Sequence, residues 1–289
     1  MQYLSIHIVG GLGNQLFQIF STISYCMQHR VKFIFQYTQG TSTRPTYWDN
    51  FLIDLKQFTT INTEHNMLDI FKFDQFIEPN FHYNPILLNN TSNRLLQGYF
   101  QSYKYFEHHY NDICKLFKLN EQQHINMAHY SDYFKNKCNI SMHFRIGDYI
   151  NKQNYHPVIS YKYYENSIKT IINNMDKSIM KRVLVFYEKN DFNQVNTIIK
   201  LLLDQSFITN TFVEFVFINT DIPDWQQLLL MSNCDHNIIA NSTFSWWGAY
   251  FNQNPNKVVC YPDIWFGPEL YNNNTRDLCP NNWTKVECS

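Results

Sequence analysis

The chain of 289 residues is long enough for two domains of ordinary size. With 44% hydrophobic and 17% aromatic residues it can bury a sizeable core, and its net charge of −1 offers no general attraction for nucleic acid or an acidic membrane surface. Seven cysteines without Cys-x-x-Cys spacing, odd in number, argue against a complete disulfide framework and for a reducing compartment.

"YLSIHIV" at residues 3–9 reads as a strand that follows Met1 almost at once, so neither a signal peptide nor a membrane anchor is expected. The protein is expected to be soluble and cytoplasmic, at most peripheral at a membrane. Gly10, Gly11 and Gly13 then break the run, and Leu16, Ile19, Phe20 and Ile23 recur at helical spacing. "VKFIFQY" predicts a second strand, residues 41–95 read as irregular and aromatic-rich, and "RLLQGYFQSYKYFEHHYNDICKLF" predicts a strand, a glycine turn and a helix. The polar stretch "LNEQQHINMAHYSDYFKNK" is taken as the approach to a domain boundary, giving units of 1–137 and 138–289.

The second half alternates in the same way. Strands are predicted at "CNISMHFR", "RVLVFYE", "TFVEFVFIN", "HNIIA" and "KVVCYP". Helices are predicted at "YKYYENSIKTIINNM", "DFNQVNTIIKLLL", "DIPDWQQLLLMSNC" and "TFSWWGAYF", the third with Asp and Pro in its first turn. Alternation of strand and helix implies parallel sheets built from βαβ units, hence an α/β fold of two Rossmann-like domains with a cleft between them.

Ligands of open α/β sheets bind beyond the carboxyl ends of strands, and three stretches fall there. "GGLGNQ" (Gly10–Gln15) can turn sharply and approach a ligand closely, but Leu16 stands where a dinucleotide fingerprint needs glycine, and Asn14–Gln15 stand where a P-loop needs Lys-Ser/Thr. A plain strand–helix turn explains it equally well. In "SMHFRIGDY", strand alternation points His143 and Arg145 to one side, and the planar fork of an arginine suits a phosphate. The alternative is a structural Arg145–Asp148 pair closing a turn at Gly147; both can hold. In "HNIIANSTFSWWGAYF" a strand runs through Asn241–Ser242–Thr243 into a helix. Ser or Thr there is an ordinary N-cap, while the same helix end suits a diphosphate. Trp246 and Trp247 read as packing residues. No HExxH, EF-hand or Asp-x-Asp pattern marks a metal site.

Together these stretches resemble the α-1,2-fucosyltransferases of glycosyltransferase family 11, over nearly the whole chain. "GGLGNQLFQ", "LQGYFQSYKYF", "HFRIGDY", "YHPVISYKYY" and "LMSNCDHNIIANSTFSWWGAY" match the family's motifs in order. The resemblance implies a GT-B fold, GDP-fucose as donor bound by the C-terminal domain, a galactose-containing oligosaccharide acceptor on the N-terminal side, inversion at the anomeric carbon, and no cofactor or required metal. It places Gly11, Gly13, Asn14, Gln15, Arg145, Glu188, Asn241, Ser242, Thr243 and Phe244 at the donor. Two departures stand out: the second arginine of the family's His-x-Arg-Arg-Gly-Asp-Tyr is Ile146, and its Phe-Ser-Asp-Asp is "FYEK", with Glu188 in place of an Asp.

Inversion needs a single displacement with a base on the acceptor hydroxyl. Asp148, His143, His156 and Glu188 are candidates, with Asp148 preferred; Arg145, His143 and Asp148 form the expected catalytic set. Rival readings are a GT-B enzyme using another nucleotide sugar and a non-catalytic carbohydrate-binding protein whose aromatic rings supply stacking surfaces. A nucleic-acid partner and stable membrane insertion are not expected, and the chain is expected to be a monomer or weak dimer.

Overall fold

The computed structural model describes residues 2–289 apart from 42–43, 63, 65–66, 89–91, 136–137, 174, 176–178 and 210. The chain divides into two compact units, one of Met1–Glu121 with Asn273–Pro280, the other of Gln122–Asn272 with Asn281–Ser289.

In the first unit, β1 (Tyr3–Ile6) leads into α1 (Leu12–His29), followed by β2 (Lys32–Phe33), a short antiparallel ribbon of β3 (Gly40–Thr41) and β4 (Arg44–Pro45), then β5 (Asp74–Ile77), β6 (Arg94–Gln97) and α2 (Tyr110–Leu116). The sheet runs β2-β1-β6-β5 with every pair parallel. The predicted stripe of α1 is buried, together with polar neighbours such as Gln15, Gln18 and Thr22. Phe20 meets Phe106 and Phe117 at ring separations of 5.5 and 5.9 Å, and Phe51 closes on Phe117 at 5.5 Å. Each such ring removed from water contributes about 1.5–3 kcal/mol. Residues 41–95, expected to be irregular, supply β5 as an edge strand. Its residues are mostly exposed, so no apolar alternation announces it.

In the second unit the elements are β7 (Cys138–His143), α4 (Tyr161–Asn173), β8 (Lys181–Phe186), α5 (Phe192–Leu203), α6 (Ser206–Thr209), β9 (Val213–Phe217), α7 (Asp224–Ser232), β10 (His236–Ile238), α8 (Thr243–Phe251), β11 (Val259–Pro262) and β12 (Thr284–Val286). The helix α3 (Leu119–His129) precedes them. The sheet order is β9-β8-β7-β10-β11-β12, all parallel, which is the doubly wound nucleotide-binding order with its reversal between β7 and β10. Strand alternation divides β8 between two cores. Val183 and Val185 pack with Ile168 and Ile171 of α4 and Val195 of α5, while Leu184 and Phe186 pack with Leu230 and Met231 of α7.

Two sequence expectations shift. The division at 137/138 moves to 121/122, because the stretch before β7 is bound to the second unit. Gln123 Nε2 donates to Ser232 Oγ at 2.8 Å and to the Phe251 carbonyl at 3.1 Å, and Arg182 Nη1 donates to the carbonyls of Asp132 and Tyr133 at 2.9 Å. That polar stretch also contains α3, whose buried positions Leu119, Gln123 and Asn126 recur at helical spacing but are two-thirds amide, so hydropathy hides the periodicity. In α7, Pro223 is the N-cap residue rather than part of the first turn.

Candidate active site

The reversal point of the second sheet lies at the carboxyl ends of β7 and β10, and "HFRIGDY" and "IANST" are the segments that leave those ends. Beyond β7, Arg145 Nη2 donates to Asp148 Oδ1 at 2.6 Å, Nη1 pairs with Glu188 Oε1, and the guanidinium carbon stands 5.1 Å from the Tyr149 ring centre. The structural pair closing the turn is thus present, and its arginine still stands at the strand end. Gly147 donates its N–H to Asp191 Oδ2 at 2.9 Å, and a Cβ there would lie 2.8 Å from Glu188 Oε2, so a larger residue would have to displace the end of the Glu188 side chain. Ile146, in the place of the family's second arginine, is buried in the core with Phe144 and Ile159. An apolar side chain there is a packing solution, and no guanidinium replaces it at that position.

Beyond β10, Tyr149 Oη donates to the Asn241 carbonyl at 3.2 Å, which ties the two strand-end segments together. Asn241 Nδ2 donates to the carbonyls of Pro157 at 2.9 Å and Trp265 at 3.3 Å, and its Oδ1 is buried without a hydrogen-bond partner. Ser242 caps α8, its hydroxyl accepting from the Phe244 N–H at 3.4 Å. Thr243 opens the helix, and Trp246 and Trp247 are fully buried, as expected of packing residues. Phe244 faces His143 at a ring separation of 5.6 Å.

The histidines differ from what a base at neutral pH needs. His143 is buried, its Nδ1 has no hydrogen-bond partner, and burial together with the adjacent Arg145 charge pushes its pKa down to about 3. It stays neutral and is a weak base. His156 stacks on Tyr149 at 5.0 Å, and burial lowers its pKa too. Asp148 is engaged by Arg145, with Lys152 Nζ 3.6 Å from its second oxygen, an arrangement that orients the guanidinium.

In the first unit the glycine loop leaves the carboxyl end of β1, beside the parallel strand β6. Gly10 has φ +85°, and a Cβ on it would stand 2.5 Å from Asn14 Nδ2. Gly11 is the N-cap residue of α1, which opens without a side-chain cap, and Gly13 lies buried inside its first turn. Gln15 is buried and donates to the carbonyls of Gly10 at 3.0 Å and Pro45 at 2.8 Å, so it shapes the loop from behind. Asn14 Oδ1 accepts from Gln101 Nε2 at 3.0 Å, and Gln18 bridges the Val9 N–H and the Gly98 carbonyl at 3.0 and 2.9 Å.

Of the expected residues, Arg145, Asp148 and Glu188 are in direct contact, and Asn241 joins them through Tyr149. His143 and Phe244 form a neighbouring pair, and Gly10–Gln15 form the loop of the other unit. Tyr149, Asp191, Gln18 and Gln101 were not among the expected site residues. Tyr149, Gln18 and Gln101 lie inside the motifs "HFRIGDY", "GGLGNQLFQ" and "LQGYFQSYKYF", which are the available signal for them; Asp191 lies in no such motif.

The two parallel sheets, one in each unit, give the chain a GT-B fold. The chain belongs to glycosyl transferase family 11, whose model matches residues 1–286. It is similar to the O-antigen biosynthesis glycosyltransferase WbnK of Escherichia coli, 27% identical over 322 aligned positions that cover 96% of this chain and 98% of the relative. An alpha-1,2-colitosyltransferase of Escherichia coli is 28% identical over 194 positions, covering 66% of this chain and 61% of the relative. The fold is shared with POFUT1, solved with GDP-fucose, at a TM-score of 0.51 and 12% identity over 90% of this chain and 98% of that one. It is also shared with the E. coli ADP-heptose heptosyltransferase II, at 0.50 and 12% over 99% and 90%. Among the described residues, no helix is long and apolar enough to cross a membrane.

Proposed function

We propose that the protein is an inverting α-1,2-fucosyltransferase that moves fucose from GDP-fucose to the 2-hydroxyl of a galactoside in a glycan. The carrying observation is that the segments bearing Arg145 and the start of α8 leave adjacent strands at the reversal of a doubly wound sheet and are tied by the Tyr149 hydroxyl to the Asn241 carbonyl. As the glycosidic bond breaks, negative charge grows on the leaving diphosphate. A guanidinium and a helix N-terminus aimed at it stabilise that charge without a metal ion. In this reading Asp148 holds Arg145 in orientation. The donor phosphate takes the guanidinium edge that Glu188 occupies, and Glu188, just beyond the second strand of the unit, turns to the ribose hydroxyls. A second reading, favoured by the α-1,2-colitosyltransferase relative, keeps the linkage and replaces fucose with colitose as the transferred sugar.

A donor-by-acceptor screen with linkage analysis tests both readings. The expected product is an α-1,2-fucosylated galactoside formed from GDP-fucose at the same rate before and after EDTA. Turnover confined to another nucleotide sugar would overturn the donor assignment. Loss of turnover on chelation, restored by Mn²⁺ or Mg²⁺, would overturn the metal-free charge neutralisation.

The helix cap gives a separate expectation. Changing Ser242 and Thr243 together to alanine should cost about 1 kcal/mol of stability, the ordinary worth of an N-cap. It should also weaken GDP binding in calorimetry of protein that is still folded. Unchanged GDP affinity beside a lowered melting temperature would leave these residues a cap and nothing more.

A further inference from the structure

Glu78 follows β5, and its environment is unfavourable for a carboxylate without a task. Oε2 accepts from the N–H groups of Tyr99 at 2.8 Å and Phe100 at 3.0 Å, while Oε1 is buried with no hydrogen-bond partner. Leaving a buried acceptor unmatched costs free energy that an apolar side chain would avoid. Burial raises the Glu78 pKa to about 7 against the pull of the two amides.

The segment it grips is strained. Gly98 has φ +151°, and a Cβ there would stand 2.4 Å from Glu78 Cβ. Phe100, a non-glycine residue, has φ +52° with its ring fully buried and 5.3 Å from that of Tyr105. A bulky residue in the left-handed region persists only where its surroundings impose it. Glu78 takes both N–H groups of the turn at that point. In its ionised form Glu78 makes charge-assisted bonds to these backbone amides, which are stronger than neutral ones.

The next residue shows what the turn positions. Gln101 is buried and donates to Asn14 Oδ1, and the Gly98 carbonyl receives Gln18 Nε2. The strained turn is thus joined at two points to α1 and its glycine loop, and at a third to Glu78. Gly10 excludes any side chain from the other flank of Asn14.

We propose that Glu78 is a positioning residue for transfer: it locks the Gly98–Gln101 turn so that Gln101 fixes the Asn14 amide for the nucleotide-sugar donor. This rests on the placement of Gly11–Gln15 at the donor that the family resemblance implies. Glu78 touches no substrate and acts through Gln101, so its removal should change donor recognition by way of that residue.

The test is steady-state kinetics and thermal melting of Glu78→Gln, Gln101→Ala, their double variant and Asn14→Ala, with the donor and the acceptor varied separately. Glu78→Gln keeps the shape and one acceptor oxygen, so it should fold. Each of the three single variants should raise the donor KM about five- to ten-fold with the acceptor KM unmoved. The Glu78→Gln/Gln101→Ala double should be no worse than the more severe of its singles, since neighbours acting through one contact are non-additive. Fully additive effects on donor KM would overturn the proposal, as would a Glu78→Gln enzyme altered only in melting temperature. An unchanged donor KM in Asn14→Ala would overturn both the proposal and the donor role of the loop. A raised KM in Asn14→Ala beside an inert Glu78→Gln would overturn the proposal alone.

Discussion

Arg145→Ala should lower turnover by a factor of order 10²–10³, corresponding to about 3–4 kcal/mol of transition-state stabilisation. In the proposed role Arg145 meets a diphosphate whose negative charge grows as it departs, so the loss should fall on kcat more than on donor KM. The next position is a buried isoleucine, Ile146, so it offers no second guanidinium. Arg145→Lys should rescue little: its ammonium keeps the charge but cannot address two oxygens in a plane while also holding Asp148. If the residue served only to close its turn, Asp148→Asn would match Arg145→Ala in melting temperature, and neither would change turnover. A well-folded Arg145→Lys enzyme with near-normal turnover would sink the assignment.

Trp246→Ala should destabilise the protein by about 3–5 kcal/mol, enough to exhaust much of the stability of an ordinary domain. Trp246 is fully buried, stacks on Tyr250 at 4.6 Å, and meets Trp247 at 5.2 Å and Trp283 at 5.4 Å. Chemical denaturation should show a lower midpoint for the variant, and the aromatic near-ultraviolet dichroism should weaken with it. A folded variant of normal stability that had lost only acceptor binding would instead make this tryptophan a sugar platform.

The legible part of the fold was the part governed by periodicity. The Leu16–Ile19–Phe20–Ile23 stripe of α1 and the apolar run of β8 announced themselves, because burial on one stripe or on both sheet faces leaves a hydropathy record. Polar burial leaves none. That is why α3, resting on Gln123 and Asn126, read as a boundary; the edge strand β5 read as loop because most of its residues are exposed. The candidate site followed the same rule. Arg145, Asp148, Ser242 and the glycines stood in segments with recognisable chemistry. Gln18, Gln101 and Tyr149 act by bridging residues 80 to 92 positions away, a relation that exists only once the strands are ordered.

The short return of Asn273–Pro280 to the first unit has a consequence for how the molecule is made. Ser102 donates its buried hydroxyl to the Asp277 carbonyl at 2.7 Å, and Lys104 reaches the Asp277 carboxylate at 2.5 Å. The N-terminal unit therefore receives one of its anchors from residues translated only after Gln122–Asn272 of the other unit. Asn281–Ser289, which follow, return to the second unit and carry β12, the edge strand of its sheet. Each unit is thus assembled from two separated stretches of chain, and no single cut yields either one whole.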